Sequence, residues 1–184
     1  MPALTVASTR ATTVEREQRR WPLAYQASQR IDRAHTWAFT DGGTDGWHAA
    51  AMRATDGGAR CVCACRPDAP RAVGSELDGV ILALELAPDE AQLVIVSDFL
   101  WSAYYINGWW TVRHPYLVER VPVARQLLLR KRFGKAHFIH HGGHDGRATE
   151  FSRWNDVADR LCKGRTNVDT VMDSAAELED ELSR

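Results

Sequence analysis

The sequence has almost no excess charge of either sign. Its 23 lysine and arginine residues are balanced by 24 aspartate and glutamate residues, which leaves a formal net charge of −1. A chain that binds nucleic acid through its overall charge carries a clear basic excess. Binding of that kind is excluded, so any nucleic-acid site of this chain has to be local.

Long hydrophobic runs are also missing. No stretch of about 18 apolar residues occurs, so no segment has the length of a membrane-spanning helix. Charged residues between Arg10 and Arg20 interrupt the start of the chain, which therefore lacks the apolar core of a signal peptide. With 45% hydrophobic and 26% charged residues, the composition is that of a globular domain. We expect a cytoplasmic protein with one core and no membrane partner.

Cysteine is scarce, with four residues in 184. Cys61, Cys63 and Cys65 alternate in the segment CVCAC, and on a strand that spacing puts all three on one face. Ligands in a row along a strand lie too far apart to converge on one zinc ion, and disulfides are rare in a reducing compartment. We interpret these cysteines as small apolar residues of a strand.

Hydrophobic periodicity divides the chain into three parts. Residues 1–33 are predicted to be a mobile tail, residues 34–164 a folded domain and residues 165–184 an acidic tail. Within the domain, strands are predicted at 34–43, 46–54, 59–67, 92–98 and 135–143, and helices at 75–87, 99–110, 116–133 and 152–164. Ser75 is the predicted N-cap of the first helix. This order predicts an α/β fold, a mixed five-stranded sheet flanked by helices, with three antiparallel strands before parallel βα units.

Four carboxylates fall at positions that such a sheet brings together. Asp41 ends the first strand, Glu76 opens the first helix, Asp98 ends the buried fourth strand, and Asp156 or Asp159 lies on the last helix. Each acid alone has an ordinary explanation, as a turn residue or as a charge that complements a helix dipole. Together they would raise each other's pKa unless a cation compensates. All-oxygen sites suit Mg²⁺ or Mn²⁺, and two such ions can cleave a phosphodiester.

From about residue 36 to residue 163 the chain resembles a type I ribonuclease H. The matching segments, in the family's order and spacing, are TDGG (40–43), SELDGVILALE (75–85), VSD (96–98), HGGH (141–144) and NDVADRL (155–161). The resemblance implies the ribonuclease H fold and endonucleolytic cleavage of the RNA strand of RNA–DNA hybrids, leaving 5′-phosphate and 3′-hydroxyl ends. It also implies two Mg²⁺ or Mn²⁺ ions as cofactor.

The same resemblance assigns the site residues one by one. Asp159 matches the fourth metal ligand through the family's N-x-x-A/C-D-x-L pattern, and the first three ligands correspond to Asp41, Glu76 and Asp98. His141 matches the loop histidine, which helps proton transfer or product release, and His144 is the second histidine of that motif. Asn155, which opens the last motif, is a candidate substrate contact.

Helical periodicity also separates the two acids of the last helix. An apolar stripe is formed by Trp154, Val157, Ala158, Leu161 and Cys162. At about 100° per residue, Asp156 points roughly opposite this stripe, whereas Asp159 lies on its flank, on the side of Asn155. A metal ligand has to lean toward the sheet, which favours Asp159.

Substrate recognition departs from the family's pattern. The loop after the first strand is short, no asparagines precede Glu76, and the basic protrusion of the family is missing. Stacking and phosphate contacts are therefore predicted for Trp109, Trp110 and Arg113, and for a basic patch of Arg125, Arg130, Lys131 and Arg132. Core packing of the tryptophans, and cations that complement a helix C-terminus, are the alternatives.

We therefore predict a metal-dependent endoribonuclease that acts as a monomer on RNA–DNA hybrids. One alternative is a catalytically silent module of the same fold that binds hybrids or duplexes. Another is a related nuclease with a DNA or structured-RNA substrate, which the missing asparagines leave open. The complete acid set favours an enzyme, because crowded carboxylates without metal would destabilise the fold.

Overall fold

The computed structural model describes residues 30–142, 149–164 and 170–172. Its elements are β1 (Thr36–Gly42), β2 (Trp47–Arg53), β3 (Ala59–Cys65), α1 (Arg71–Leu86), β4 (Leu93–Ser97), α2 (Trp101–Ile106), α3 (Pro115–Leu129), a 3₁₀ turn (Arg132–Gly134), β5 (Ala136–His140), α4 (Glu150–Gly164) and β6 (Thr170–Met172). Most of both predicted tails lies outside the described residues, as does His144.

One mixed sheet has the strand order β5-β4-β1-β2-β3-β6. The first three strands are antiparallel, and β4 and β5 are added in parallel beside β1, which confirms the predicted five-stranded sheet. The sixth strand was not predicted: β6 pairs antiparallel with β3 over three residues. A strand of that length is too short to show a periodicity in the sequence.

Helices cover both faces of the sheet. Trp37 and Phe39 of β1 face α4, where Phe39 stacks on Trp154 with ring centroids 5.8 Å apart. The alternate residue Ala38 faces the layer of α1 and α3. Cys61 and Cys63 are buried in the α4 layer, which agrees with their interpretation as small apolar residues, whereas Cys65 is only partly buried.

The first helix begins earlier than predicted. Arg71 is its first residue and Pro70 its N-cap, so the prediction that Ser75 is the N-cap is wrong. Ser75 is a buried helical residue whose hydroxyl donates to the Arg71 carbonyl oxygen at 3.2 Å. Glu76 therefore lies in the second turn, where the dipole acts weakly. The helix dipole does not explain why a carboxylate stands there.

A glycine allows α1 to pack directly on the end of β1. A Cβ atom at Gly42 would lie 2.3 Å from the backbone nitrogen of Glu76 and 2.5 Å from the carbonyl carbon of Ser75. Backbone atoms cannot yield at that distance, so any larger residue would displace the helix. Gly42 thus brings the helix that carries Glu76 against the strand end that carries Asp41.

The two middle helices, α2 and α3, are shorter than predicted. α2 ends at Ile106 rather than at residue 110, and α3 ends at Leu129. Pro122 lies inside α3. Among the helices of the described part of the chain, none has the length and apolar character needed to cross a bilayer.

Candidate metal centre

Three carboxylates converge at one edge of the sheet. Thr40 of β1 pairs with Ser97 of β4, and the next residue in each chain segment is an acid, Asp41 or Asp98. Because β1 and β4 are parallel, both acids leave the sheet at the same edge. Glu76 reaches this edge from α1, and one oxygen atom of each of the three lies within 4.8 Å of the other two. We call Asp41, Glu76 and Asp98 the acidic trio.

The acidic trio is costly in the absence of a cation. Burial raises the pKa of Glu76 to about 9, and the charges of Asp98 and Asp41 add to this shift. Burial, followed by the charges of Asp98 and Asp159, raises the pKa of Asp41 to about 6. Glu76 is only 5% exposed, and its Oε2 atom has no hydrogen-bond partner among the described residues. A divalent cation that prefers oxygen ligands would satisfy such an atom and offset the repulsion.

The fourth predicted ligand lies beside the acidic trio. Asp159 is near enough for its charge to raise the pKa of Asp41, and its carboxylate accepts a hydrogen bond of 2.8 Å from Lys163 Nζ. The predicted stripe of α4 is buried, and Asp159 is half-buried on its flank. Asp156 is also half-buried, although the periodicity had predicted that it points into solvent.

Comparison with known proteins supports the fold. No protein-family model and no curated protein match the sequence. The N-terminal RNase H domain of a Mycobacterium tuberculosis protein, solved as a fusion with maltose-binding protein, is 21% identical, with a TM-score of 0.52 over 71% of this chain and 97% of that chain. RNase H1 from the halophilic archaeon Halobacterium salinarum is 21% identical, with a TM-score of 0.51 over 70% and 95%.

A third solved structure, LC11-RNase H1 in complex with an RNA/DNA hybrid, is 17% identical, with a TM-score of 0.53 over 70% of this chain and 94% of that chain. The chain has the ribonuclease H fold. Since the identities are low, the likeness shows the fold alone. What a chain with this fold does has to be argued from its own side chains.

Two adjacent histidines of this ribonuclease H fold have different surroundings. His141 is buried, with its ring edge-on to Phe151 at 5.9 Å and its Nε2 atom 3.4 Å from Ser152 Oγ. His140 Nε2 donates to the Asp98 carbonyl oxygen at 2.9 Å. The HGGH motif predicts His141 as the histidine of the site. His140, however, pairs with Ser97 and therefore lies next to Asp98.

The two predicted tryptophan contacts lie on the segment that follows Asp98. Trp109 and Trp110 are 46% and 43% exposed, so they are not part of the core. Arg113 is also exposed. Asn155, which was also predicted to contact the substrate, is buried in α4 with 6% exposure.

Most of the predicted basic patch is occupied by contacts within the protein. Arg125 donates from Nε to the Ile106 carbonyl oxygen at 2.8 Å, and so closes the C-terminal end of α2. Lys131 is 3% exposed and donates to the Ala87 carbonyl oxygen at 2.6 Å, at the end of α1. Arg130 pairs with Asp89 at 2.7 Å. For these three side chains the alternative explanation, cations at helix ends, describes the structure better than an open phosphate-binding patch.

A buried ionic cluster next to the site was not predicted. The side chain of Asp78 is fully buried and accepts hydrogen bonds from Arg120 Nε at 2.7 Å and from the Tyr116 hydroxyl. Arg66 Nε lies 3.9 Å from the same carboxylate. Asp78 follows Glu76 by two residues, so this cluster ties the helix that carries Glu76 to α3. The only signal in the sequence is an acid between Leu77 and Val80, two apolar residues of that helix.

The raised pKa of Glu76 gives a testable pH dependence in the metal-free protein. Its carboxyl keeps a proton up to about pH 9 in the folded chain, against a usual pKa of 4.5. The folded state therefore binds one proton more than the unfolded state between these values, so stability falls as the pH rises. We expect the free energy of unfolding, measured with urea and a chelator, to fall more steeply between about pH 7 and pH 8.5 in the wild type than in Glu76→Gln.

The pH range is chosen to avoid an opposing group. The pKa of His137 is lowered to about 4, mainly by burial, so its titration makes the protein more stable as the pH rises toward neutrality. Above pH 7 this effect is complete. An identical slope in wild type and Glu76→Gln would show that Glu76 is already ionised at neutral pH.

Proposed function

We propose that the chain is a metal-dependent endoribonuclease that hydrolyses the RNA strand of RNA–DNA hybrids and leaves 5′-phosphate and 3′-hydroxyl ends. The observation that carries this proposal is the acidic trio at one edge of a ribonuclease H fold, with a buried oxygen that no group in the described part of the chain hydrogen-bonds. A protein of this fold has been solved with an RNA/DNA hybrid, which supports the hybrid as substrate. We further propose that the chain acts as a monomer.

The acids would divide two Mg²⁺ or Mn²⁺ ions between them. In this proposal Asp41 and Asp98 would help to hold the ions, Glu76 would complete one site, and Asp159 would hold the second ion. Such ions, when bound, neutralise the charge of the phosphodiester and activate water. The Asp159 carboxylate accepts a hydrogen bond from Lys163 Nζ, and this contact supports its position beside the acidic trio.

Histidine and surface residues complete the proposed site. We keep His141 as the histidine for proton transfer, as the resemblance implies; His140 is a second candidate because its ring touches the Asp98 carbonyl oxygen. For the substrate we propose contacts with Asn155, Trp109, Trp110 and Arg113, and an indirect role for Arg125. The exposure of the two tryptophans and of Arg113 supports this, whereas Arg125 acts through the end of α2 that it fixes.

The electrostatics of the site favour this proposal over a silent binding module. A binding module gains nothing from three converging carboxylates, two of which have a raised pKa, because the repulsion only weakens the fold. A cation converts the same arrangement into a favourable one.

Cleavage of defined duplexes tests the proposal. A labelled RNA strand would be presented as a hybrid with DNA, as an RNA duplex and alone, each with Mg²⁺, with Mn²⁺ or with chelator. We expect cleavage of the hybrid only, dependent on metal, with 5′-phosphate and 3′-hydroxyl products. Binding of the hybrid without cleavage under every metal condition would support the silent module instead, and cleavage of the RNA duplex or of DNA would support the other nuclease.

A further inference from the structure

Six aromatic residues form a surface immediately after the last member of the acidic trio. We call it the aromatic surface; it comprises Phe99, Trp101, Tyr104, Tyr105, Trp109 and Trp110. Its three tryptophans are 45%, 46% and 43% exposed. Exposed aromatic residues are ordinary when scattered, but a contiguous group is typical of a binding surface.

The rings pack against one another at steep angles and not face to face. Trp101 and Trp110 meet at 60° with centroids 5.2 Å apart, and Tyr104 meets Trp110 at 53° and Trp109 at 40°. In pairs tilted in this way, the edge of one ring covers only part of its neighbour. Nearly half of the surface of each tryptophan remains exposed to solvent, where it can contact a ligand.

The protein backbone fixes the aromatic surface in place. The backbone nitrogens of Trp109 and Trp110 both donate to the Tyr104 carbonyl oxygen, at 2.9 and 3.3 Å. Arg125 holds the carbonyl oxygens of Tyr105 and Ile106 from α3. A surface that is already ordered loses little conformational entropy when it binds a ligand.

Exposed aromatic rings suit unpaired bases better than a duplex. Every base inside a duplex is already stacked on both sides, whereas an unpaired base offers its whole face to an aromatic side chain. The aromatic surface is continuous with Asp98 along the chain, and the exposed Arg113 follows it and can contact a phosphate. A ligand of this surface would therefore lie close to the nucleic acid whose phosphate reaches the acidic trio.

We propose that the aromatic surface binds unpaired nucleotides that extend from an RNA–DNA hybrid, so that the chain prefers hybrids with a single-stranded flank to blunt ones. This inference rests on the proposed hybrid nuclease activity. Stacking of one base on an aromatic ring is worth about a tenfold change in affinity. The flank should therefore lower KM by about that factor, with little change in kcat.

The test compares one blunt hybrid with four versions that carry a short unpaired extension, on either strand and at either end. We expect the wild type to have a lower KM for at least one extended version. In Trp101→Ala the KM for the blunt hybrid divided by the KM for the extended hybrid should fall toward one. Trp101→Phe should retain part of the preference for the extended hybrid. Phe133→Ala is the matched control, because Phe133 is 70% exposed but lies just before β5, at the other end of the sheet.

Two results would overturn this inference. One is an equal KM for blunt and extended hybrids in the wild type; the other is an unchanged ratio in Trp101→Ala. Quenching of tryptophan fluorescence by a short single-stranded thymidine oligonucleotide in chelator gives a readout that does not need catalysis. If no hybrid is cleaved but quenching occurs and weakens in Trp101→Ala, the nuclease proposal fails and the aromatic surface stands. If quenching is absent as well, both fail.

Discussion

Replacing Asp98 by asparagine should abolish cleavage of the hybrid and leave the fold intact. Asp98 is exposed at the end of β4, so the substitution removes no core contact. Its charge raises the pKa of both Glu76 and Asp41, and a neutral amide relieves that repulsion. The same amide is a poor ligand for Mg²⁺. We expect the single-turnover rate to fall by at least about 100-fold, since even a group behind a metal ligand can be worth that much, while the melting temperature in chelator stays equal or rises.

The neighbouring acids of α4 provide the comparison. Asp159→Asn should resemble Asp98→Asn, whereas Asp156→Asn should cleave like the wild type, because only Asp159 is proposed as a ligand. Undiminished cleavage by Asp98→Asn would show that the acidic trio is not the catalytic centre. Loss of cleavage in Asp156→Asn but not in Asp159→Asn would show that the wrong acid of the helix was selected.

The sheet and the acidic trio could be predicted from the sequence for a simple reason. Asp41 and Asp98 each end a strand with a clear apolar pattern, and neighbouring parallel strands bring such ends together. The motif SELDGVILALE predicts Glu76 as a ligand, although the predicted start of its helix lies too late in the chain. The apolar pattern there gives no sign of the turn at Pro70, where α1 begins. The existence of the helix was predictable, but its first residue was not.

Features that depend on tertiary contacts could not be predicted in the same way. His140 and His141 are neighbours in the sequence, and only the pairing of β5 with β4 decides which ring touches the Asp98 carbonyl oxygen. Lys131 looks like a surface cation in the sequence, yet the carbonyl oxygens at the end of α1 hold it in the interior. The partners of these side chains lie more than 40 residues away in the chain. No local pattern reports a partner at that distance.

The second large expected effect is on stability and concerns Asp78, a buried residue whose partners are also distant in the sequence. Asp78→Ala should lower the free energy of unfolding by about 3–5 kcal/mol, the usual cost of removing one partner from a buried ion pair. Arg120 would lose its carboxylate at 2.7 Å in a position where only 16% of its side chain is exposed. The Tyr116 hydroxyl would lose its acceptor as well. Urea unfolding of the two proteins at neutral pH measures the difference.

A double replacement distinguishes the ion pair from simple loss of packing. Arg120→Met removes the charge that Asp78→Ala leaves unpaired, so the double variant should be more stable than the sum of the single effects implies. Asp68→Ala, at an exposed acid, is the control and should change stability by less than about 0.5 kcal/mol. A loss below about 1 kcal/mol in Asp78→Ala would mean that apolar packing alone holds α1 against α3. In that case the position of Glu76 would depend on the close contact at Gly42, and not on the ionic cluster two residues further along the helix.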